Sequence, residues 1–307
     1  MAAEFADKIE LDLHRVFQER IPGTVAIAER AVNNALAGHE QDAEWTKANF
    51  SALIEAVQAA ASDEYLQAQQ EAARGAFCDV LLPLAGENAT PNDFARLLGD
   101  HFYLLDRFFV GLTHARRPHV SKAFELLICR FLAAHYPGAA QPVIPGHPEF
   151  ILPSIDQLRR DPSVAMIFSV KKTVRDRWRQ MLTEGTKPLG FFLATTDEEV
   201  TPGDLTDMHA AGVRLVVSAR VKTVRREYQD APNIITFERF FACHLDPAVE
   251  RWRAAGLVGT LQPQSQPPLA VADAPKPDLL PPGFSPARTT AALRHRTLNL
   301  LQATLFD

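Results

Sequence analysis

Four residues in this 307-residue sequence, Glu125, Glu149, Lys171 and Glu184, have the types and spacing needed to hydrolyse a phosphodiester bond. That reaction needs a divalent cation to neutralise the phosphate and activate water. Magnesium takes hard oxygen ligands, so one or two carboxylates plus phosphate oxygens suffice. A lysine ammonium beside such carboxylates can orient or deprotonate the attacking water and balance developing charge. Glu149 follows Pro148 and is expected to open a strand, Glu149–Leu152. Lys171 comes after 21 intervening residues and ends the next expected strand, Val164–Val170. Side chains alternate along a strand, so Ser169 shares the face of Lys171. A second carboxylate at that position is therefore missing, and another acid must take its place.

The run SVKKTVRDRWRQMLTEG, residues 169–185, reads as the end of a strand followed by a helix, Thr173–Glu184. Thr173 can cap that helix, with Asp176 three residues on. Val174, Trp178, Met181 and Leu182 form one apolar stripe. Arg175, Arg177 and Arg179 point largely away from it, near the helix N-terminus, where phosphates or base edges can be met. Arginine offers two parallel donors to guanine O6 and N7, and an aspartate accepts from cytosine N4. Arg175-Asp176-Arg177 thus has the chemistry of a C:G reader.

Taken together, these residues resemble the EcoRII-like restriction endonucleases, within the group cutting CCGG- and CC-N-GG-type sites and the wider PD-(D/E)xK nuclease superfamily. Ala-Phe-Glu at 123–125 resembles the group's helical FE element. Pro-Glu-Phe-Ile-Leu-Pro-Ser at 148–154 resembles its PDF-x-x-PS strand, with Glu149 where the metal-binding Asp is usual. Lys171-x-Thr173 followed by Asp176-Arg-Trp-Arg-Gln180 is similar to its lysine and DNA-reading helix, and Glu184 stands at the spacing of its relocated carboxylate. The resemblance spans roughly residues 113–245. It implies Mg²⁺ held by Glu149, Glu184 and Glu125, Lys171 assisting the water, and Arg175, Asp176 and Arg177 reading C:G pairs. It also implies a homodimer on a palindrome of double-stranded DNA, and a cognate DNA methyltransferase in the same bacterial cell.

The charge distribution suits that reading. The net charge of −5 hides a segment pattern: residues 1–115 carry −10, residues 116–180 carry +6 and residues 181–307 carry −1. A basic window in an acidic chain can focus positive potential on a phosphate backbone. Arg116, Arg117 and Lys122 are candidates for phosphate contact, as is a second cluster at Lys222, Arg225 and Arg226. His147 and His244 are expected to be a surface and a structural histidine. Cys78, Cys129 and Cys243 lack any paired spacing, which argues against a zinc site or a disulfide framework. The first residues, MAAEFADKIELDLHRVF, carry four acids and no apolar block, unlike a signal peptide. A cytoplasmic protein is expected.

The elements needed to position these groups follow from periodicity. Residues 1–112 read as an all-α domain with breaks at Pro22-Gly23, Gly38, Ser62-Asp63 and Gly86, serving dimerisation or flanking DNA contacts. Residues 113–260 read as a catalytic and DNA-reading domain. It begins with an amphipathic helix, Ser121–Tyr136, and continues through a short helix, Ile155–Arg160, and strands at 189–195, 213–218 and 234–237. Residues 261–307 read as a Pro-rich arm and a last helix, Thr289–Leu305. The expected fold is α/β, a restriction-endonuclease-like mixed sheet flanked by helices. Other readings are a repair or mismatch nicking enzyme on the same core, a non-catalytic DNA-binding protein, or an acidic helical interaction protein.

Overall fold

The computed structural model describes residues 2–86, 88–142, 149–174 and 189–258. These fall into two compact units, one from residues 2–22 and 65–117, the other from residues 23–64 and 118–258. The packing therefore divides the chain differently from the expected boundary at 112/113. That boundary lies inside one helix, and residues 23–64 cluster with the sheet.

The first unit is helical. Its core forms because α1 (Ala2–Arg20) buries Ile9, Leu13, Val16 and Phe17 at three- and four-residue spacing. The Phe108 ring packs edge-on against His14 and Phe17, with centroids 5.2 and 5.6 Å away. The buried Glu10 carboxylate pairs with Arg107 at 3.0 Å.

The second unit holds a six-stranded sheet in the order β1-β2-β3-β4-β5-β6. The strands are β1 (Gln141–Pro142), β2 (Glu149–Leu152), β3 (Met166–Val170), β4 (Gly190–Ala194), β5 (Val213–Val217) and β6 (Ile234–Thr236). The pairs β1–β2 and β2–β3 are antiparallel, and β3 to β6 run parallel. One face is aromatic. Phe168 and Phe192 each lie 4.9 Å from Phe240, and Phe241 lies 5.0 Å from Phe50 and 4.8 Å from Phe131. The opposite face buries Phe191, Leu193, Leu215 and Val217 against Leu205, Met208, Val221 and Tyr228. The mixed sheet covered by helices on both faces is thus as expected.

Several elements match their expected positions closely. Strand β2 and the helix Ile155–Arg160 have the expected bounds. Strand β3 starts two residues later than expected, because Asp161 caps a short 3₁₀ turn, Pro162–Val164. One expected break is absent, and one helix starts earlier than expected. The helix α4 (Phe50–Ala76) runs through Ser62-Asp63, and α7 (Phe102–His135) runs from well before Ser121 through Pro118. In each, buried apolar residues recur at helical spacing on both sides of the local breaker: Val57, Ala61, Tyr65, Ala72 and Ala76 in the former, Phe108, Leu112, Ala123, Leu127 and Phe131 in the latter. Tertiary packing outweighs a residue whose propensity cost is a fraction of a kcal/mol, or for proline about 3 kcal/mol. The expected helices Thr289–Leu305 and, beyond Val174, Thr173–Glu184 lie outside the described residues.

Close approach dictates one residue type in β4. A Cβ at Gly190 would collide with the edge of the Phe192 ring. That ring cannot swing away, because it is buried against Phe240 and His244. Gly190→Ala is expected to destabilise the protein by roughly 1–3 kcal/mol in urea unfolding, with an unchanged m-value. An unchanged midpoint would show that the ring is free to move.

Candidate active site

The geometry of the candidate site begins with strand register. Glu149 opens β2 and lies opposite Ser169 of β3 in the antiparallel ladder. Lys171 follows the end of β3, two residues beyond Ser169, so alternation returns its side chain to the face of Glu149. The Lys171 ammonium meets Glu149 Oε1 at 2.8 Å, with the two side chains 28% and 30% exposed. The site is therefore accessible to an incoming polyanion and still shielded enough for electrostatics to matter. Ser169 is fully buried, and its Oγ has no hydrogen-bond partner among the described residues.

The backbone around Lys171 is tied to the next parallel strand. The Lys171 N–H donates to the Ala194 carbonyl at 2.9 Å, extending the β3–β4 ladder one residue past the strand. The Thr195 hydroxyl donates to the Lys172 carbonyl at 3.1 Å, and Asp197 Oδ2 accepts from the Val174 N–H at 2.9 Å. The expected cap of Thr173 with Asp176 involves a residue outside the described ones; the acceptor for the Val174 N–H comes from a neighbouring loop. Asp197 could have been noticed in sequence only as a turn former after a strand, the role seen in its 2.9 Å bond to the Glu199 N–H. Nothing in one dimension shows its reach to Val174.

The carboxyl ends of the other parallel strands are sealed by the first half of α4. Glu55 Oε1 accepts from the Ser218 hydroxyl at 2.6 Å, and Ser51 Oγ accepts from the Ala219 N–H at 2.9 Å. The Ser51 N–H donates to Glu238 at 2.8 Å, and Gln58 donates to the Thr196 hydroxyl at 3.5 Å. Arg220 bridges Glu55 and Glu198. These contacts fall after β4, β5 and β6, so the Glu149–Lys171 pair stands at the neighbouring β3 end. The carboxyl side of an open parallel sheet is where ligands are generally met.

Residues 100–241 match the protein family described as EcoRII C terminal. That segment is thus similar to the EcoRII C-terminal family. Over 148 residues the chain is 28% identical to the type II restriction enzyme EcoRII of Escherichia coli, an alignment covering 43% of this chain and 34% of that enzyme. The chain thus spans about a third of the length of the curated relative it matches. The fold is similar to that of metal-depleted Ecl18kI in complex with uncleaved, modified DNA, with a TM-score of 0.62 and 19% identity. That match covers 83% of this chain and 87% of the other. The complex of metal-depleted Ecl18kI with uncleaved DNA gives a TM-score of 0.58 at 17% identity, covering 83% and 88%. At this identity the two structures establish the restriction-endonuclease fold.

Within the EcoRII C-terminal segment the remaining sequence assignments divide. Glu125 lies on α7 with Lys122 at 3.8 Å, and both are mostly buried. One turn on, burial and then the Glu125 charge push the Cys129 thiol up to about 12, so it is no nucleophile at neutral pH. Lys222 is not presented to a phosphate. Its ammonium donates to the carbonyls of Tyr228, Gln229 and Ala231 at 2.5, 3.1 and 3.1 Å. Arg226 pairs with Asp230 on the surface. The His244 pKa is lowered, first by burial and then by Arg214 and Arg239, and its ring packs 5.1 Å from Phe192. Glu184, Arg175, Asp176, Arg177, Arg179 and His147 lie outside the described residues, as do the side chains of Arg116 and Arg117. Among the described residues no three His, Cys, Asp or Glu side chains group as a metal site. No helix there is long and apolar enough to cross a membrane.

A pair as open to solvent as Glu149–Lys171 contributes little to folding. Lys171→Met is expected to change the unfolding free energy by less than about 1 kcal/mol in chemical denaturation. A loss of several kcal/mol would mark the pair as a structural staple.

Proposed function

We propose that this protein is a type II restriction endonuclease that hydrolyses double-stranded DNA at a short palindromic CC…GG-type site with Mg²⁺. The observation that carries the reading is the 2.8 Å contact between the Glu149 carboxylate and the Lys171 ammonium at the exit of β3, inside an EcoRII C-terminal segment. DNA is the partner named for the Ecl18kI complexes that share the fold, and it is the polyanion suited to the basic window at residues 116–180.

The side chains fit a hard cation. Glu149 offers partly exposed carboxylate oxygens, and the Ser169 hydroxyl lies opposite it in register without a partner among the described residues. Glu149 would hold magnesium together with Glu184 and Glu125, leaving other positions for water and phosphate oxygens. When bound, the ion would neutralise the scissile phosphate and lower the pKa of water. Lys171 orients the attacking water and offsets the charge that builds on the phosphate. Glu149 in turn keeps the ammonium directed at the site. Arg175, Asp176 and Arg177 read the C:G pairs from the major groove, while Arg179, Arg116, Arg117 and Lys122 grip the backbone. A two-fold palindrome calls for a homodimer, one subunit to each half-site. A cell carrying this activity also needs a DNA methyltransferase of the same specificity.

Digestion of phage DNA by the purified protein, with Mg²⁺ and with EDTA, tests the reading. Discrete fragments sharing a CC/GG-type end sequence are expected only with Mg²⁺. Intact DNA in both reactions, alongside tight binding to a C/G-rich duplex, would instead assign a DNA-binding role without cleavage.

A further inference from the structure

The four residues from Lys171 to Val174 are held from one side by the end of β4 and the loop after it. Ala194, Thr195 and Asp197 each take one of the bonds already described, to the Lys171 N–H, the Lys172 carbonyl and the Val174 N–H. That loop is itself fixed. The Asp197 N–H donates to Thr195 Oγ1 at 3.1 Å, and the buried Tyr228 hydroxyl donates to the Asp197 carbonyl at 2.9 Å while accepting from the Val200 N–H at 3.0 Å. Both carboxylate oxygens of Asp197 accept backbone N–H groups, one from Val174 and one from Glu199. Hydrogen bonds to an ionised acceptor are the stronger kind.

The clamped stretch has two neighbours in sequence. At one end is the Lys171 side chain, and immediately after the other end comes Arg175-Asp176-Arg177. We propose that Asp197, with Thr195, is a positioning residue that sets both the Lys171 ammonium and the chain entering the reading residues, so that cleavage and sequence discrimination depend on one clamp. The inference rests on the restriction reading above. It assigns Asp197 no contact with DNA or metal. Its effect passes through the backbone of residues 171–174.

The test compares wild type, Asp197→Asn, Thr195→Val and Thr195→Ser on linear phage DNA with Mg²⁺, following the cleavage rate and sequencing the ends. Asp197→Asn keeps the shape and loses the charge. Thr195→Val keeps the shape and loses the hydroxyl, and Thr195→Ser restores it. For variants that unfold cooperatively like wild type, Asp197→Asn and Thr195→Val are expected to cut roughly 10- to 100-fold more slowly, because small misplacements of reacting groups are costly. Their ends should also spread to sequences one base pair away from the wild-type site, while Thr195→Ser behaves as wild type. Wild-type rates and ends in both variants would overturn the proposal, and so would a uniform slowing with unchanged ends. If Asp197→Asn does not fold, the Thr195 pair decides. If wild type itself leaves the DNA intact, the restriction reading fails first and takes the clamp with it, a result distinct from intact specificity in the variants.

Discussion

The antiparallel register of β2 against β3 is the constraint on which the proposed chemistry rests. Glu149 stands opposite Ser169, and Phe150 stands opposite Phe168. Phe150 and Phe168 are almost fully buried, on the face that stacks against Phe240. A slip of one residue would send Glu149 into that aromatic layer and take Phe150 out of it. Burying an unpaired carboxylate there would cost several kcal/mol, on top of the lost burial of a phenyl ring. The aromatic face, made of residues with no chemistry of their own, thereby keeps Glu149 and Lys171 on the same side and 2.8 Å apart.

The sheet changes character at β3. On one side it pairs antiparallel with the strand that carries Glu149, and on the other it begins the parallel run to β6. The carboxyl ends of the parallel strands would expose a row of backbone and hydroxyl groups. The first half of α4 meets these with Ser51, Glu55 and Gln58. Those three residues precede the segment that matches the EcoRII C-terminal family, so the second unit is completed by chain from outside that segment. The same economy of polar contacts appears at Lys222, whose ammonium satisfies three carbonyls.

Much of this could be read in the sequence, because its signals are local. The apolar run Phe150-Ile151-Leu152, the Ser154 cap before Ile155 and the β-rich runs at 190–194 and 213–217 set the elements at nearly their observed bounds. The spacing from Glu149 to Lys171 anticipated a contact that register then made. Other features depend on what lies across the fold. A helix is expected only from Ser121, yet residues buried on either side of Pro118 keep α7 continuous from Phe102. Residues 23–64 read as part of a separate helical domain because the acceptors for Ser51 and the donors to Glu55 lie more than a hundred residues away. Asp197 draws no reading from sequence, and its bond to Val174 exists only once β3 and β4 are parallel neighbours.

The most direct measurement of the central claim is single-turnover cleavage by Glu149→Gln and Lys171→Met in Mg²⁺, with duplex affinity measured in parallel. If the pair is the reacting centre, both variants bind the cognate duplex as wild type does and cleave it slower by roughly three orders of magnitude. Cleavage at the wild-type rate by either variant would contradict the account, because the chemistry would then have to reside elsewhere in the chain.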